Sequence, residues 1–359
     1  MTEATVANLA LGLRVLLVGG FLLILPRITR KGLLLGAYVG EALVDRNAFR
    51  RLLSNWYLGC VILMLLSISV GLGISVAGWP VAGSLIGTAF LLVGALGLYL
   101  RLYYKARALA PPVAAQQAVK ATAPLIGGEP KGTGLAKLAL GVCIPTSVAV
   151  FLYAMVGFRG PLSDESFLTV MFVPSLNLLL TPFVALFALL TANAKRSVRG
   201  GSGGRSIEAQ NAFRADYTRL LSLTALLACA AMTFLSVQVI RILSTDVSIL
   251  SIGVWLPPAA ALVFILGSLI WLVRRYGQGG ALMERGTVDV PLTNGLADNS
   301  KWVWGLFFVD KDDPSIMVEK RFGIGYTLNY GSRAAILIVT TFVVLSFSMI
   351  ALAVISTML

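Results

Sequence analysis

The chain contains no histidine and little charge. Of its 359 residues, 13% are Asp, Glu, Lys or Arg, against about 25% in a soluble globular domain. Without histidine the commonest metal ligand, the commonest general base and the usual haem ligand are missing. Only three cysteines are present, Cys60, Cys143 and Cys229, each inside an apolar run where a thiol packs as a small hydrophobe. No metal site, no cofactor and no disulfide is therefore expected. Walker A, G-x-S-x-G and H-E-x-x-H patterns are absent too, so no catalytic residue is assigned and the expectation is of a non-enzymatic protein. Acidic residues are scarce, 16 against 29 basic, for a net charge of +13. In a soluble chain that excess would suggest nucleic acid. Here the basic residues sit in short loops between apolar runs, so membrane topology explains them first and no nucleic-acid partner is expected.

What the sequence does have is long hydrophobic runs. It is 57% hydrophobic with mean hydropathy +0.86. Eight runs reach the roughly 20 residues needed to cross a bilayer, near 5–26, 55–76, 81–103, 137–157, 168–192, 219–244, 250–273 and 334–357. Each is apolar on all sides, and a lipid-exposed backbone must satisfy its hydrogen bonds within its own segment, so the runs are expected to be helices. The fold class expected is an all-α integral membrane protein with eight transmembrane helices. The first run carries its positive charges after the apolar stretch, unlike a signal peptide, and reads as a retained span.

Charge sets the expected orientation. The loops 26–54, 101–137 and 195–219 each hold six Lys or Arg, and region 274–333 holds eight, so 26 of the 29 basic residues fall on one side of an eight-span layout. By the positive-inside rule that side is the cytoplasm and both termini face out, so the chain is expected in a cell (inner) membrane. The outer connections, GWPVA, GFRGPLSDES and STDVS, are short. The inner stretch 108–135 and the segment VRGGSGGRS (198–206) are rich in small residues and read as linkers.

Asn47-Ala48-Phe49-Arg50 recurs as Asn211-Ala212-Phe213-Arg214, an offset of 164 residues that also maps span one onto span five. Each copy follows a basic loop and leads through an Arg-rich amphipathic turn into a span. Either these are two unrelated helix pairs with similar flanks, or the chain is a parallel 4+4 repeat with halves 1–160 and 161–359.

Two intramembrane features are polar. Arg14 lies roughly 12 Å inside span one at 1.5 Å per residue, where a charge costs ~2.5 kcal/mol or more unless it snorkels or is paired. It could contact an anion or an outer-leaflet headgroup, or pair with Asp164, Glu165 or a free carbonyl. Span five contains Pro174, Ser175, Asn177, Thr181 and Pro182. Its two prolines are expected to kink or break the helix. Under the repeat offset Asn177 falls one residue from the counterpart of Arg14, so Arg14, Asn177 and Thr181 form the candidate polar site. A packing helix with Asn177 bonded to a neighbour is the plainer reading.

The stretch 302–329 differs from its surroundings. Trp302–Val309 is aromatic and β-prone, Asp310-Lys311-Asp312-Asp313-Pro314 is a turn, and Ser315–Arg321 is expected to return as the second strand of a small cytoplasmic β-hairpin near 302–321, within an insert spanning 298–330. Trp302, Trp304, Tyr326 and Arg321 are candidate interface or headgroup residues. The spacing of Asp310, Asp312 and Asp313 does not match a calcium loop, and a solvated turn is expected.

WGLFFVDKDDPSIMVEKRFGIGYTLNYG resembles the short C-terminal domain of unknown function found in some bacterial multi-span proteins, themselves similar to the SdpI-like immunity and signalling family. The resemblance extends more weakly to GLLLGAYVGEALVDRNAFRRLLSNWY and to RRYGQGG. It implies a multi-pass architecture and a regulatory or immunity-like role. Together these readings give a scaffold, a regulatory protein or an accessory subunit whose partners are the lipid bilayer and other membrane-protein subunits. The alternative is a transporter or channel for a small anionic solute using the site near Arg14 and Asn177.

Overall fold

A computed structural model describes residues 3–29, 32–40, 46–110, 132–157, 165–195, 203–244, 252–283 and 298–356. Most of the linker 108–135, the start of VRGGSGGRS, Asp164 and the side chain of Glu165 lie outside the described residues. The expected helices are present as α1 (Glu3–Ile28), α2 (Arg46–Val76), α3 (Pro80–Arg107), α4 (Thr133–Gly157), α5 (Glu165–Ala192), α6 (Gly203–Ser244), α7 (Ile252–Tyr276) and α8 (Arg333–Ser356). Among the described residues seven are long and apolar enough to cross a membrane, which fits a multi-span membrane protein; the apolar stretch in α8 is described over Arg333–Met349.

Two helices run beyond their apolar cores. α6 has 42 residues, about 63 Å at 1.5 Å per residue, which is twice the ~30 Å of a hydrocarbon core. α2 likewise begins at Arg46, ahead of its apolar run. The Arg-rich segments expected as turns are therefore the first turns of these helices. α5 is continuous from Glu165 to Ala192 with Pro174 and Pro182 inside it, so the prolines do not break it. Neighbouring helices and hydroxyls can accommodate proline in an apolar helix without ending it.

The helices pack in two groups. In the first, α1, α2 and α3 contact one another; in the second, α4, α5 and α6 form the centre, with α7 against α6 and α8 against α5. Between α2 and α3 the contact is made by small residues. A Cβ on Gly83 would lie 2.4 Å from the Gly71 carbonyl oxygen, and one on Gly87 would lie 2.8 Å from that of Ser67. The Ser67 hydroxyl donates to Gly87 O at 2.7 Å. Helices in lipid gain from close van der Waals approach rather than from water exclusion, and Gly-x-x-x-Gly at 83 and 87 permits that approach. Gly78, at φ 95, reverses the chain after α2, and Pro80 opens α3 at a position that needs no N–H donor.

Among the described residues six short strands form three hairpins. β1 (Leu33–Leu34) pairs with β2 (Ala37–Tyr38), β3 (Trp302–Val303) with β4 (Phe307–Phe308), and β5 (Met317–Glu319) with β6 (Tyr326–Leu328), all antiparallel. Two hairpins thus replace the single one expected near 302–321. The chain reverses at Trp304-Gly305, both with positive φ of 55° and 70°, instead of at the acidic turn. Asp310–Pro314 instead connects the two hairpins. They are joined by a bridge between Phe308 and Asn329 and by the Tyr330 N–H donating to Phe308 O at 2.8 Å.

Candidate functional site

The three hairpins gather at one end of the helices, where α1, α3, α5 and α7 finish and α2, α4, α6 and α8 begin. Two apolar clusters seat them there. Leu34, Ala37 and Val39 from the first hairpin pack with Trp56 of α2 and with Tyr99, Leu102 and Tyr103 of α3, and Phe322 packs against this cluster. Met317, Ile324, Tyr326 and Leu328 pack with Phe213 of α6, Tyr276 of α7 and Ala335 of α8. The residues between β5 and β6 thus touch both groups of helices. Phe49 belongs to the margin of the first cluster and Phe213 to the heart of the second, so both Asn-Ala-Phe-Arg copies lie at this end.

The first and second hairpins meet backbone to backbone. Leu35 and Gly36 have positive φ, as do Trp304 and Gly305. The turns dock glycine on glycine: a Cβ on Gly305 would lie 2.5 Å from Gly36 O, and one on Gly36 would lie 2.4 Å from the Tyr99 hydroxyl. That hydroxyl donates to Trp304 O at 2.8 Å. Asn299 clamps the same joint. Its Oδ1 accepts from Tyr38 N–H at 3.0 Å and its Nδ2 donates to Tyr38 O at 2.9 Å, as a strand neighbour would.

Arg321 lies in the middle and is fully buried. Its Nη1 donates to Asn299 Oδ1 at 2.6 Å, and its guanidinium carbon sits 5.0 Å from the centre of the Trp302 ring. Among the described residues Nε and Nη2 have no hydrogen-bond partner, and neither does the buried Tyr103 hydroxyl. Burial pulls the guanidinium below its ordinary range, though an arginine starts high enough to stay charged at neutral pH.

The acidic turn is organised by Asn329, a buried residue that sequence reasoning did not single out. Its Oδ1 accepts from Asp310 N–H and Gly331 N–H, both at 3.0 Å. Its Nδ2 donates to the carbonyls of Asp310, Asp313 and Ser315 at 2.8, 3.0 and 3.1 Å. The carboxylates bind cationic side chains: Asp310 pairs with Lys301, and Asp313 with Lys195 beyond the end of α5. Burial alone would raise the Asp313 carboxyl, but hydrogen bonds from Lys195 and Ser315 hold it below the ordinary aspartate range. The bond to Asp310 raises the Lys301 ammonium. Asp310 and Asp313 are buried and only Asp312 of the three is exposed, so this is a largely packed turn where a solvated one was expected. Among the described residues no group of His, Cys, Asp or Glu could hold a metal.

The other candidates are distributed differently. Trp302 and Tyr326 are buried, against Phe308 and against Phe213 and Tyr217, while Trp304 is 42% exposed. Arg14 is half-buried and its Nη1 donates to the hydroxyls of Ser84 and Thr88 on α3, at 3.3 and 3.4 Å. Asn177 and Thr181 come together instead in the second group. The Thr181 hydroxyl donates to Asn177 Oδ1 at 3.0 Å, and Asn177 Nδ2 donates to the Thr233 hydroxyl of α6 at 3.2 Å. The structure thus joins Asn177 to Thr181 and gives Arg14 separate partners, among the described residues the hydroxyls of Ser84 and Thr88; Asp164 and the Glu165 side chain, the other expected partners, lie outside those residues.

Residues 311–336 match a family of unknown function (DUF5808). The matched segment holds Asp313, Arg321, Phe322, Tyr326 and Asn329 and runs into the first turn of α8. No curated protein and no solved structure matches the chain.

Proposed function

We propose that the chain is an eight-span protein of the bacterial inner membrane, with both termini outside, that acts without catalysis as a scaffold or accessory subunit of a larger membrane complex. An immunity-like regulatory role of the SdpI-like kind is one form of this reading. The observation that carries it is the use of residues 311–336. Asp313 ties this segment to the end of α5, Phe322 packs on Trp56 of α2, and Tyr326 packs on Phe213 of α6. A segment devoted to fastening helix ends supports an assembly role more than a substrate site. The eight-span layout is supported by α8; the parallel halves 1–160 and 161–359 remain part of the reading on the Asn-Ala-Phe-Arg recurrence, while α4 packs with α5 and α6. Gentle extraction followed by identification of co-purifying membrane proteins tests the reading. A stoichiometric partner is expected; a chain that purifies alone and carries solute flux in liposomes would contradict it.

A second reading, a transporter or channel for a small anionic solute, draws on Arg14, a cation that among the described residues is bonded by the hydroxyls of Ser84 and Thr88. Flux in liposomes separates the two. If Arg14→Leu folds with full stability and abolishes a wild-type flux, the transporter reading replaces the first; the scaffold reading expects no wild-type flux.

A further inference from the structure

α2 carries a shallow, open groove on its outer side, lined by Arg50, Leu53, Ser54, Tyr57, Leu58 and Val61, with a volume of about 540 Å³. These positions follow the i, i+3, i+4, i+7 spacing of one helical face. From Arg50 to Val61 the stripe is about 16 Å long at 1.5 Å per residue, close to half of a ~30 Å hydrocarbon core. Its polar groups gather toward one end, with Arg50 first and Ser54 and Tyr57 following, interrupted by Leu53, and Leu58 and Val61 close the other end as hydrocarbon. Leu58 and Val61 are exposed, at 60% and 44%. A second cation stands near the Tyr57 part of the groove: the guanidinium carbon of Arg27, at the end of α1, lies 5.9 Å from the centre of the Tyr57 ring. Among the described residues neither Arg27 nor Arg50 is in an ion pair.

We propose that this groove binds one anionic phospholipid from the leaflet on the basic side. Its phosphate lies between Arg27 and Arg50, with Ser54 and Tyr57 offering hydroxyl donors, and one acyl chain follows Leu58 and Val61. The inference rests on the membrane-spanning reading above. The polar-to-apolar gradient over half a bilayer matches a single lipid better than a peptide. Two arginines outside any ion pair among the described residues select a net negative headgroup over one that carries its own ammonium.

The test uses the full chain extracted from membranes in mild detergent and exchanged with phosphatidylglycerol or phosphatidylethanolamine of the same acyl composition. Native mass spectrometry counts the bound lipid. One phosphatidylglycerol per chain is expected, retained about tenfold better than phosphatidylethanolamine. The double variant Arg27→Gln, Arg50→Gln should lose that preference. Ser54→Phe, which fills the groove and leaves both charges, should lose both lipids. Arg101→Gln, an exposed cation on α3, should behave as wild type, and millimolar inorganic phosphate should not displace the lipid. Equal retention of the two lipids by wild type, displacement by phosphate, or full retention in either groove variant overturns the proposal. If the double variant does not fold, Ser54→Phe decides. Recovery of the chain in the soluble fraction without detergent would instead overturn the membrane reading; a membrane-extracted chain without lipid preference overturns the lipid site alone.

Discussion

At the scale of single residues, Asn329 and Arg321 show opposite uses of a buried polar group. Asn329 has both ends of its amide satisfied, by two N–H donors and three carbonyls. Removing it strands several backbone groups away from water. Asn329→Ala is expected to destabilise the hairpins by about 2–4 kcal/mol, since each buried unsatisfied group costs about 1–3 kcal/mol; a thermal melt of the purified protein measures this. Among the described residues Arg321 has one hydrogen bond, to Asn299, and two nitrogens without one. A buried charge held this loosely is a weak contributor to stability, so Arg321→Met should cost clearly less than Asn329→Ala in the same melt. A larger loss at Arg321 would show that its charge is needed. Asp313 predicts a pH dependence. Its carboxyl is held below the ordinary value by Lys195 and Ser315. Its stabilisation is therefore fully present above the unfolded-state value, about 3.9, and is lost as pH falls through the lower folded-state value. Melting temperature should drop more steeply below pH 4 in wild type than in Asp313→Asn.

Among the elements, the glycine turns give the sharpest contrast. Gly305 and Gly323 both have positive φ, at 70° and 86°. A Cβ on Gly305 would meet the Gly36 carbonyl at 2.5 Å, whereas at Gly323 the nearest atom is a Leu25 methyl at 3.7 Å. Gly323→Ala should cost only the conformational penalty of about 1–2 kcal/mol. Gly305→Ala adds a backbone collision and should detach the second hairpin from the first. Limited proteolysis at the hairpins is expected to accelerate in Gly305→Ala and to change little in Gly323→Ala; equal effects would contradict the glycine-on-glycine contact. The helices themselves were legible in the sequence, because a run of about 20 apolar residues has few alternatives to a helix. The early starts of α2 and α6 were not, since a basic amphipathic segment beside a span reads equally well as a loop. The strand pairing was missed for a physical reason: Trp304 takes a positive φ that a bulky residue rarely adopts, so the acidic turn drew attention away from Trp304-Gly305. Nor does one asparagine among polar neighbours announce that it holds a turn together; its role depends on which backbone groups the fold brings to it.

For the whole molecule, we propose that the matched segment forms a water-facing cap on the basic side of a membrane, fastened to helices of both groups. The positions that carry it converge on one end of the helices: the hairpins, the Asn-Ala-Phe-Arg copies, and the Lys195–Asp313 and Lys301–Asp310 pairs. The opposite end holds Trp79, 69% exposed, between α2 and α3. Side-specific labelling compares these two ends. Asp313 itself is a poor probe because it is buried, while Lys311 beside it is exposed. Single cysteines at Lys311 and Trp79, with Cys60, Cys143 and Cys229 replaced, are treated in intact cells with a membrane-impermeant maleimide. The account predicts that Trp79→Cys is labelled in intact cells and Lys311→Cys only after lysis. Efficient labelling of Lys311→Cys from outside intact cells would contradict it.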